Sequence, residues 1–295
     1  MRVTIVAEVL PKGWEWSVEN PVTGGNRFVV NTAEWLAKFG HAVTVIMDRV
    51  TGLNRNGVDY RPRSPVPVDT DVVLECNARS ITRYGTDTRV VWWTSFADFK
   101  LDLVPGHYID AVCVISQYAA GVAGDGDLDS PQMFVTPLGI DKKLFSAGPP
   151  LAEREALCVY SSSPDRGGTA LKAAWDNVYN LTGYRLECTG YSADPKSDAD
   201  LADLYRRARY WLHPGMGTEL FCLSACEAQA CGAVPIVNPV GGLHETVKWG
   251  HRFGSGEYLQ GLISVLQSAT VGSANADHVL SWEDATRNLE AVLSE

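Results

Sequence analysis

The chain has 295 residues, 45% of them hydrophobic and 20% charged, a length that suits one large or two medium domains with ample core. No stretch reaches 18 apolar residues, which excludes a membrane-spanning helix. The formal net charge of −10 argues against a polyanionic partner, because Lys and Arg contacts supply most nucleic-acid affinity.

In chain order, strand-like β-branched runs alternate with helix-period stretches. VTIVA (3–7), read as a strand rather than a signal-peptide core, precedes the helical NRFVVNTAEWLAKFG (26–40) and the strands AVTVIM (42–47), DVVLE (71–75), RVVWWT (89–94) and AVCVIS (111–116). Beyond them lie LCVYS (157–161), RLECT (185–189), RYWLH (209–213) and AVPIV (233–237), with helical segments at 168–180 and 198–208. This alternation is the pattern of parallel α/β sheets covered by helices, and predicts two Rossmann-like domains. The Gly- and Pro-rich SAGPPLAERE (146–155) places the boundary between 1–147 and 148–295, with a last helix that either stays with the second domain or packs back on the first. Seven cysteines, an odd number with no C-x-x-C pair, read as reduced thiols of a cytoplasmic protein.

Open α/β sheets bind ligands beyond the carboxyl ends of their strands, so two such domains facing each other predict a central cleft lined by post-strand residues. No G-x-G-x-x-G follows a strand, which speaks against a dinucleotide cofactor. Gly24 and Gly25 open the first long helix, as a phosphate-approach turn or an ordinary loop, and Arg166 follows LCVYS, as a bidentate phosphate ligand or a helix-start charge. After RYWLH comes HPGMGTELFCLSACEAQACG (213–232), in which Gly215 and Gly217 let the backbone approach a ligand. A helix beginning near Phe221, Cys222 and Leu223 would aim its N–H groups at an anion such as a diphosphate. Glu219 and Glu227 bracket that position, each able to accept a pair of hydroxyls, one pair on a transferred sugar and one on a ribose. The plainer alternative makes Glu219 a dipole-stabilising charge and Glu227 a solvated helix residue.

Trp14, Trp16, Trp92 and Trp93 either stack on an acceptor or pack the core. The triplets Asp69-Thr70-Asp71, Asp125-Gly126-Asp127 and Asp198-Ala199-Asp200 read as turns and helix caps, and Cys222 with Cys226 at i, i+4 as packing, so no metal site is expected.

The segment from Glu219 to Glu227, continuing through Gly241, Gly242 and Glu245 of GGLHE, resembles the E-x7-E motif of retaining glycosyltransferases of the family 4 type, which have the GT-B two-domain fold. VYSSSPDRGG (159–168) resembles the SSPDRG variant of some bacterial and phage members. TPLGIDKKLF (136–145) and SWEDATRNLEAVL (281–293) look like the family's linker segment and closing helix. The resemblance implies a nucleoside-diphosphate sugar as donor and no cofactor. It also implies front-face transfer with retention, in which the leaving phosphate takes the acceptor proton; Arg166 and Glu219 are the expected catalytic groups, and Asp98, in the loop after the strand of WWTSFAD, is a candidate for positioning the acceptor hydroxyl. Two positions depart from the pattern: Ser161 stands where members often carry an Arg, and Thr94 where many carry a His. The acceptor, the nucleotide and the oligomeric state are not legible. An enzyme acting on modified DNA bases and a catalytically silent sugar-nucleotide-binding protein are the rival readings.

Overall fold

The structure, a computed structural model, describes residues 1–7, 24–48, 50, 52–77, 84–85, 87–95, 108–123, 131–190, 196–268 and 275–295. Asp98, Trp14, Trp16 and the Asp125-Gly126-Asp127 triplet lie outside the described residues. The chain divides into two compact units, residues 1–139 with 282–295, and residues 140–281.

Unit 1 carries β1 (Arg2–Ala7), α1 (Gly24–Lys38), β2 (Ala42–Met47), β3 (Leu53–Arg55), β4 (Val58–Arg61), β5 (Val72–Cys76), β6 (Arg89–Thr94), β7 (Ala111–Val114), α2 (Gln117–Ala123) and β8 (Gln132–Val135). Its sheet runs β3-β4-β2-β1-β5-β6-β7-β8. Every pairing is parallel except the β3–β4 hairpin, whose two-residue turn is Asn56-Gly57 with both φ values positive, as that turn requires. The central strands are apolar on both faces because helices cover a parallel sheet on each side; β5 and β7 are buried from end to end.

Unit 2 begins with β9 (Gly139–Ile140), which starts at the last residue of unit 1. It continues with β10 (Glu155–Tyr160), α3 (Gly168–Thr182), β11 (Arg185–Cys188), α4 (Asp198–Arg207), β12 (Ala208–His213), α5 (Leu223–Ala230), β13 (Val234–Val237), α6 (Leu243–Thr246), β14 (His251–Arg252), α7 (Tyr258–Ser268) and β15 (Leu280–Ser281). Its parallel five-stranded sheet runs β11-β10-β12-β13-β14, and β15 pairs with β9 in a sheet of two strands. Leu171, Trp175, Val178, Leu262 and Leu266 from α3 and α7 pack on Tyr160, Tyr210 and Ile236 of the sheet.

The division falls at 139/140 rather than at 147/148. The Gly- and Pro-rich stretch is not a free linker, because Arg206 of α4 donates to the Leu144 and Ser146 carbonyls, and a Cβ on Gly148 would stand 2.7 Å from the Arg206 side chain. The last helix, α8 (Trp282–Ser294), belongs to unit 1, where Glu290 pairs with His41 at 2.7 Å and Arg287 lies 4.1 Å from the Phe39 ring. Two of the acidic triplets serve structure. Asp69 and Asp71 both hold Arg2, and Asp198-Ala199-Asp200 is the first turn of α4, where the Ser197 hydroxyl accepts the Asp200 N–H. All seven cysteines are free thiols, six of them buried.

One arginine that sequence reasoning passed over organises unit 2. Arg154, buried and without a carboxylate, donates to the carbonyls of Pro149, Tyr205, Ala208 and Cys231 at 2.8 to 3.4 Å. It thereby satisfies carbonyls at the ends of α4 and α5, which a helix cannot satisfy itself. Gly232, with φ +85, is where the chain turns beneath the guanidinium; a Cβ there would meet Arg154 Nη2 at 2.5 Å.

Candidate active site

Three loops of unit 2 leave the carboxyl ends of adjacent parallel strands. Beyond β10 the chain runs through Ser161–Ser163 into a 3-10 turn at Pro164–Arg166 and enters α3 through Gly167. Beyond β12 it passes Gly215 and Gly217 and reaches α5, and beyond β13 it enters α6 through Gly242. The loops interlock by backbone contact. Gly242 N–H donates to Glu219 O at 2.7 Å, Met216 N–H to Arg166 O at 3.4 Å and Asn238 N–H to His213 O at 2.9 Å. Glycine is required where they touch, because a Cβ on Gly242 would lie 2.1 Å from Leu220 O and one on Gly215 2.4 Å from Asn238 O.

That interlock brings Arg166 onto Glu219. The guanidinium Nη1 donates to carboxylate Oε2 in an ion pair whose side chains are 34% and 11% exposed. Burial alone would raise the Glu219 pKa, but the bonded Arg166 guanidinium, with the His213 imidazole 3.7 Å from the same carboxylate oxygen, outweighs it and holds the carboxyl below its usual range. Burial would likewise lower the Arg166 pKa, and the Glu219 charge reverses the direction. The pair therefore stands ionised.

His213, the last residue of β12, is fully buried. Its Nδ1 accepts the Gly215 N–H at 3.1 Å, so the hydrogen-bond network assigns the ring proton to Nε2. Among the described residues Nε2 has no hydrogen-bond partner, and Glu219 Oε2 lies 3.7 Å away, beyond hydrogen-bond length. His213 Nε2, Glu219 and Cys222 Sγ lie within 4.8 Å of one another, a distance set that would suit a metal ion. The donor chemistry does not fit one. A metal-bearing Nε2 needs its proton on Nδ1, but Nδ1 faces an N–H donor here, so the ring as hydrogen-bonded presents a proton rather than a lone pair on Nε2.

Of the expected donor residues, Phe221, Cys222 and Leu223 sit at the start of α5, together with the Ser224 hydroxyl, which approaches Ser162 Oγ and Cys222 Sγ at 3.4 Å each. Cys222 has φ +73, a left-handed conformation that costs a side-chain-bearing residue about 1–2 kcal/mol. Glu227 lies in α5 and is 3% exposed, so it is not a solvated helix residue, and Glu219 pairs with Arg166 rather than serving only the helix dipole. The buried Tyr205 hydroxyl is pushed well up by burial, with the Glu227 charge adding, and it meets Ser161 Oγ at 2.6 Å. Ser161 also accepts from Trp211 Nε1 at 2.9 Å, so this serine, expected from the resemblance to stand where an Arg is common, is held by two aromatic side chains of unit 2.

In unit 1, Gly24 and Gly25 are the first residues of α1, and a Cβ on Gly25 would stand 3.2 Å from Asn77 Nδ2. Trp92 and Trp93 correct an expectation. Both are buried in β6, and Trp93 is stacked on Phe28 at a centroid distance of 3.8 Å and 4°, so their faces pack the core instead of meeting an acceptor. Thr94 is buried as well. Sequence reasoning missed His213, although its place at the end of a strand and before a glycine loop was the available signal.

Among the described residues no helix is long and apolar enough to cross a membrane. No protein-family model matches the chain, and no curated protein sequence is significantly similar to it. Solved structures are similar over nearly its whole length. Anabaena HepE in complex with UDP and glucose is 14% identical, with all of both chains covered and a TM-score of 0.66. Sucrose-phosphate synthase from Thermosynechococcus elongatus is 14% identical, with 99% of this chain and 94% of that one covered and a TM-score of 0.61. An α-glucosyltransferase in complex with UDP-glucose and DNA containing an abasic site is 11% identical, with 99% and 95% covered and a TM-score of 0.54. The mixed α/β fold with parallel sheets is therefore the one these glycosyltransferases have, in agreement with the expected GT-B class.

Proposed function

We propose that this chain is a retaining glycosyltransferase that moves a sugar from a nucleoside-diphosphate donor to a hydroxyl acceptor, without a metal or cofactor. The observation that carries the reading is the pair of buried carboxylates, Glu219 and Glu227, on either side of the start of α5, with Arg166 on the first of them. The N–H groups from Phe221 to Leu223 and the Arg166 guanidinium are suited to the donor diphosphate, Glu227 to the ribose and Glu219 to the transferred sugar. Gly24 and Gly25, the first residues of α1, keep the phosphate-approach role read for them from the sequence.

In the reaction, the bond from the anomeric carbon to the leaving phosphate oxygen breaks as the bond to the acceptor oxygen forms on the same face. The leaving phosphate oxygen takes the acceptor proton, and Asp98 is the proposed positioning group for that hydroxyl. Negative charge grows on the phosphate as it departs, so fixed donors aimed there stabilise the transition state without reorganising. The similarity to HepE bound to UDP and glucose makes UDP-glucose the first donor to try.

Calorimetry with UDP and single-turnover assays with UDP-glucose and a panel of acceptors test the reading. The expected results are that Glu227→Ala weakens UDP binding by about 1.5–3 kcal/mol, that activity persists in excess EDTA and that the product keeps the donor's anomeric configuration. Loss of activity in chelator, restored by added Mg or Mn, or an inverted product would overturn it. The similarity to a glucosyltransferase bound to DNA favours a second reading, a DNA-base acceptor, against which the net charge of −10 weighs. DNA binding that weakens steeply with salt would support it.

A further inference from the structure

Glu219 Oε2 is the meeting point of two donors. Arg166 Nη1 holds it, and His213 Nε2 stands 3.7 Å from the same atom with its proton unshared among the described residues. That proton is fixed on Nε2 from behind, because Nδ1 accepts the Gly215 N–H. The imidazole is fully buried and cannot reach solvent for another acceptor. Shortening 3.7 Å to the usual 2.9 Å needs a shift of about 0.8 Å in the carboxylate.

We propose that His213 is a positioning residue that receives Glu219 from Arg166 when a diphosphate binds: the phosphates take the guanidinium, and the freed carboxylate closes onto the imidazole N–H, which aims its other oxygen at the transferred sugar. The inference rests on the donor reading above and names how that site is armed. The ligand-free pair keeps Arg166 and Glu219 engaged with each other, so neither is presented alone. A carboxylate left buried without a donor is costly, and the His213 proton supplies the replacement. Because the imidazole donates without adding charge, it orients Glu219 while leaving it anionic to accept sugar hydroxyls.

Nitrogen-15-labelled histidine resolves the ring in the full chain, with the His213 signals identified by their loss in His213→Gln. The free protein should show the Nε2–H tautomer. Arg166→Ala alone, with no nucleotide present, should move the Nε2 proton downfield and slow its exchange, and UDP added to the wild type should do the same. In kinetics with UDP-glucose, His213→Phe should lower kcat/KM by roughly 10-fold or more while leaving UDP affinity unchanged, and His213→Gln, which keeps an N–H near that position, should recover most of it. A purely structural role would lower thermal stability and both ligand responses together, without recovery by Gln. A proton on Nδ1, or an unmoved Nε2 proton in Arg166→Ala, overturns the proposal. If the proton moves in Arg166→Ala but neither UDP nor UDP-glucose binds, the exchange of partners stands and the donor reading fails.

Discussion

Both units place a hydrogen-bonded carboxylate away from water, and the two pairs do different jobs. In unit 1, His41 and Glu290, 12% and 26% exposed, tie the turn before β2 to the last helix, joining elements that are far apart in sequence. In unit 2, Arg166 and Glu219 join two loops beyond strand carboxyl ends, with His213 behind them. The first pair is closed by packing on an outer helix and belongs to the fold. The second lies beyond strand carboxyl ends, where open α/β sheets bind ligands, which is why the proposed exchange of partners falls there. Position relative to strand direction, not burial, assigns the first pair to the fold and makes the second a candidate for ligand binding.

The largest test stays inside unit 2, where Arg154 is a buried arginine of the first kind. Arg154→Met leaves four backbone carbonyls without their donor and should cost about 3 kcal/mol or more in urea unfolding. A loss much below that would show that the carbonyls find water. Next comes the crossed pair. Arg166→Ala should lower turnover of UDP-glucose on the order of 100-fold with little change in the unfolding midpoint. Glu290→Ala should cost about 1 kcal/mol of stability and leave UDP affinity untouched. The comparison between the units breaks if these signatures are exchanged.

A smaller effect concerns the start of α5. Cys222→Gly deletes more side chain than Cys222→Ala but relieves the left-handed backbone, so thermal unfolding should find the glycine variant more stable by about 1 kcal/mol. The reverse order would mean that the thiol contacts outweigh the strain.

The smallest effect belongs to the exposed pairing of Arg2 with Asp71 in unit 1. Hydrogen bonds from Arg2 hold the Asp71 carboxyl down at about 2, below its ordinary 3.8. A depressed folded-state value contributes stability that is fully present above about 3.8 and is lost as pH falls through about 2. The gap in unfolding midpoint between the wild type and Asp71→Asn should therefore narrow from pH 5 to pH 2, and a constant gap would refute the coupling.

Much of the fold was legible because parallel strands buried on both faces write continuous apolar runs; the strands expected at 3–7, 42–47, 89–94 and 209–213 recur as β1, β2, β6 and β12 within a residue. The β3–β4 hairpin was not expected, although Asn56-Gly57 carries the strongest short turn signal, because its flanking strands are only three and four residues long. At the candidate site, the spacing of Glu219 and Glu227 and the loop around Arg166 stood out as motifs. The pairing of Arg166 with Glu219, 53 residues apart, and the burial of Glu227 did not, since both depend on how distant segments pack; the tautomer of His213 rests on Gly215 two residues on, but only the folded loop brings that N–H to the ring.

By itself, then, the amino-acid order determined the elements, their parallel α/β class and the chemical types available beyond each strand, because periodicity and glycine placement act over a few residues. Tertiary structure decided which of those side chains meet. It turned Trp92 and Trp93 into core, because β6 lies inside the sheet, and attached α8 to unit 1. It also set one carboxylate oxygen between a guanidinium and an imidazole, because three glycine-containing loops close against one another at distances no Cβ would permit.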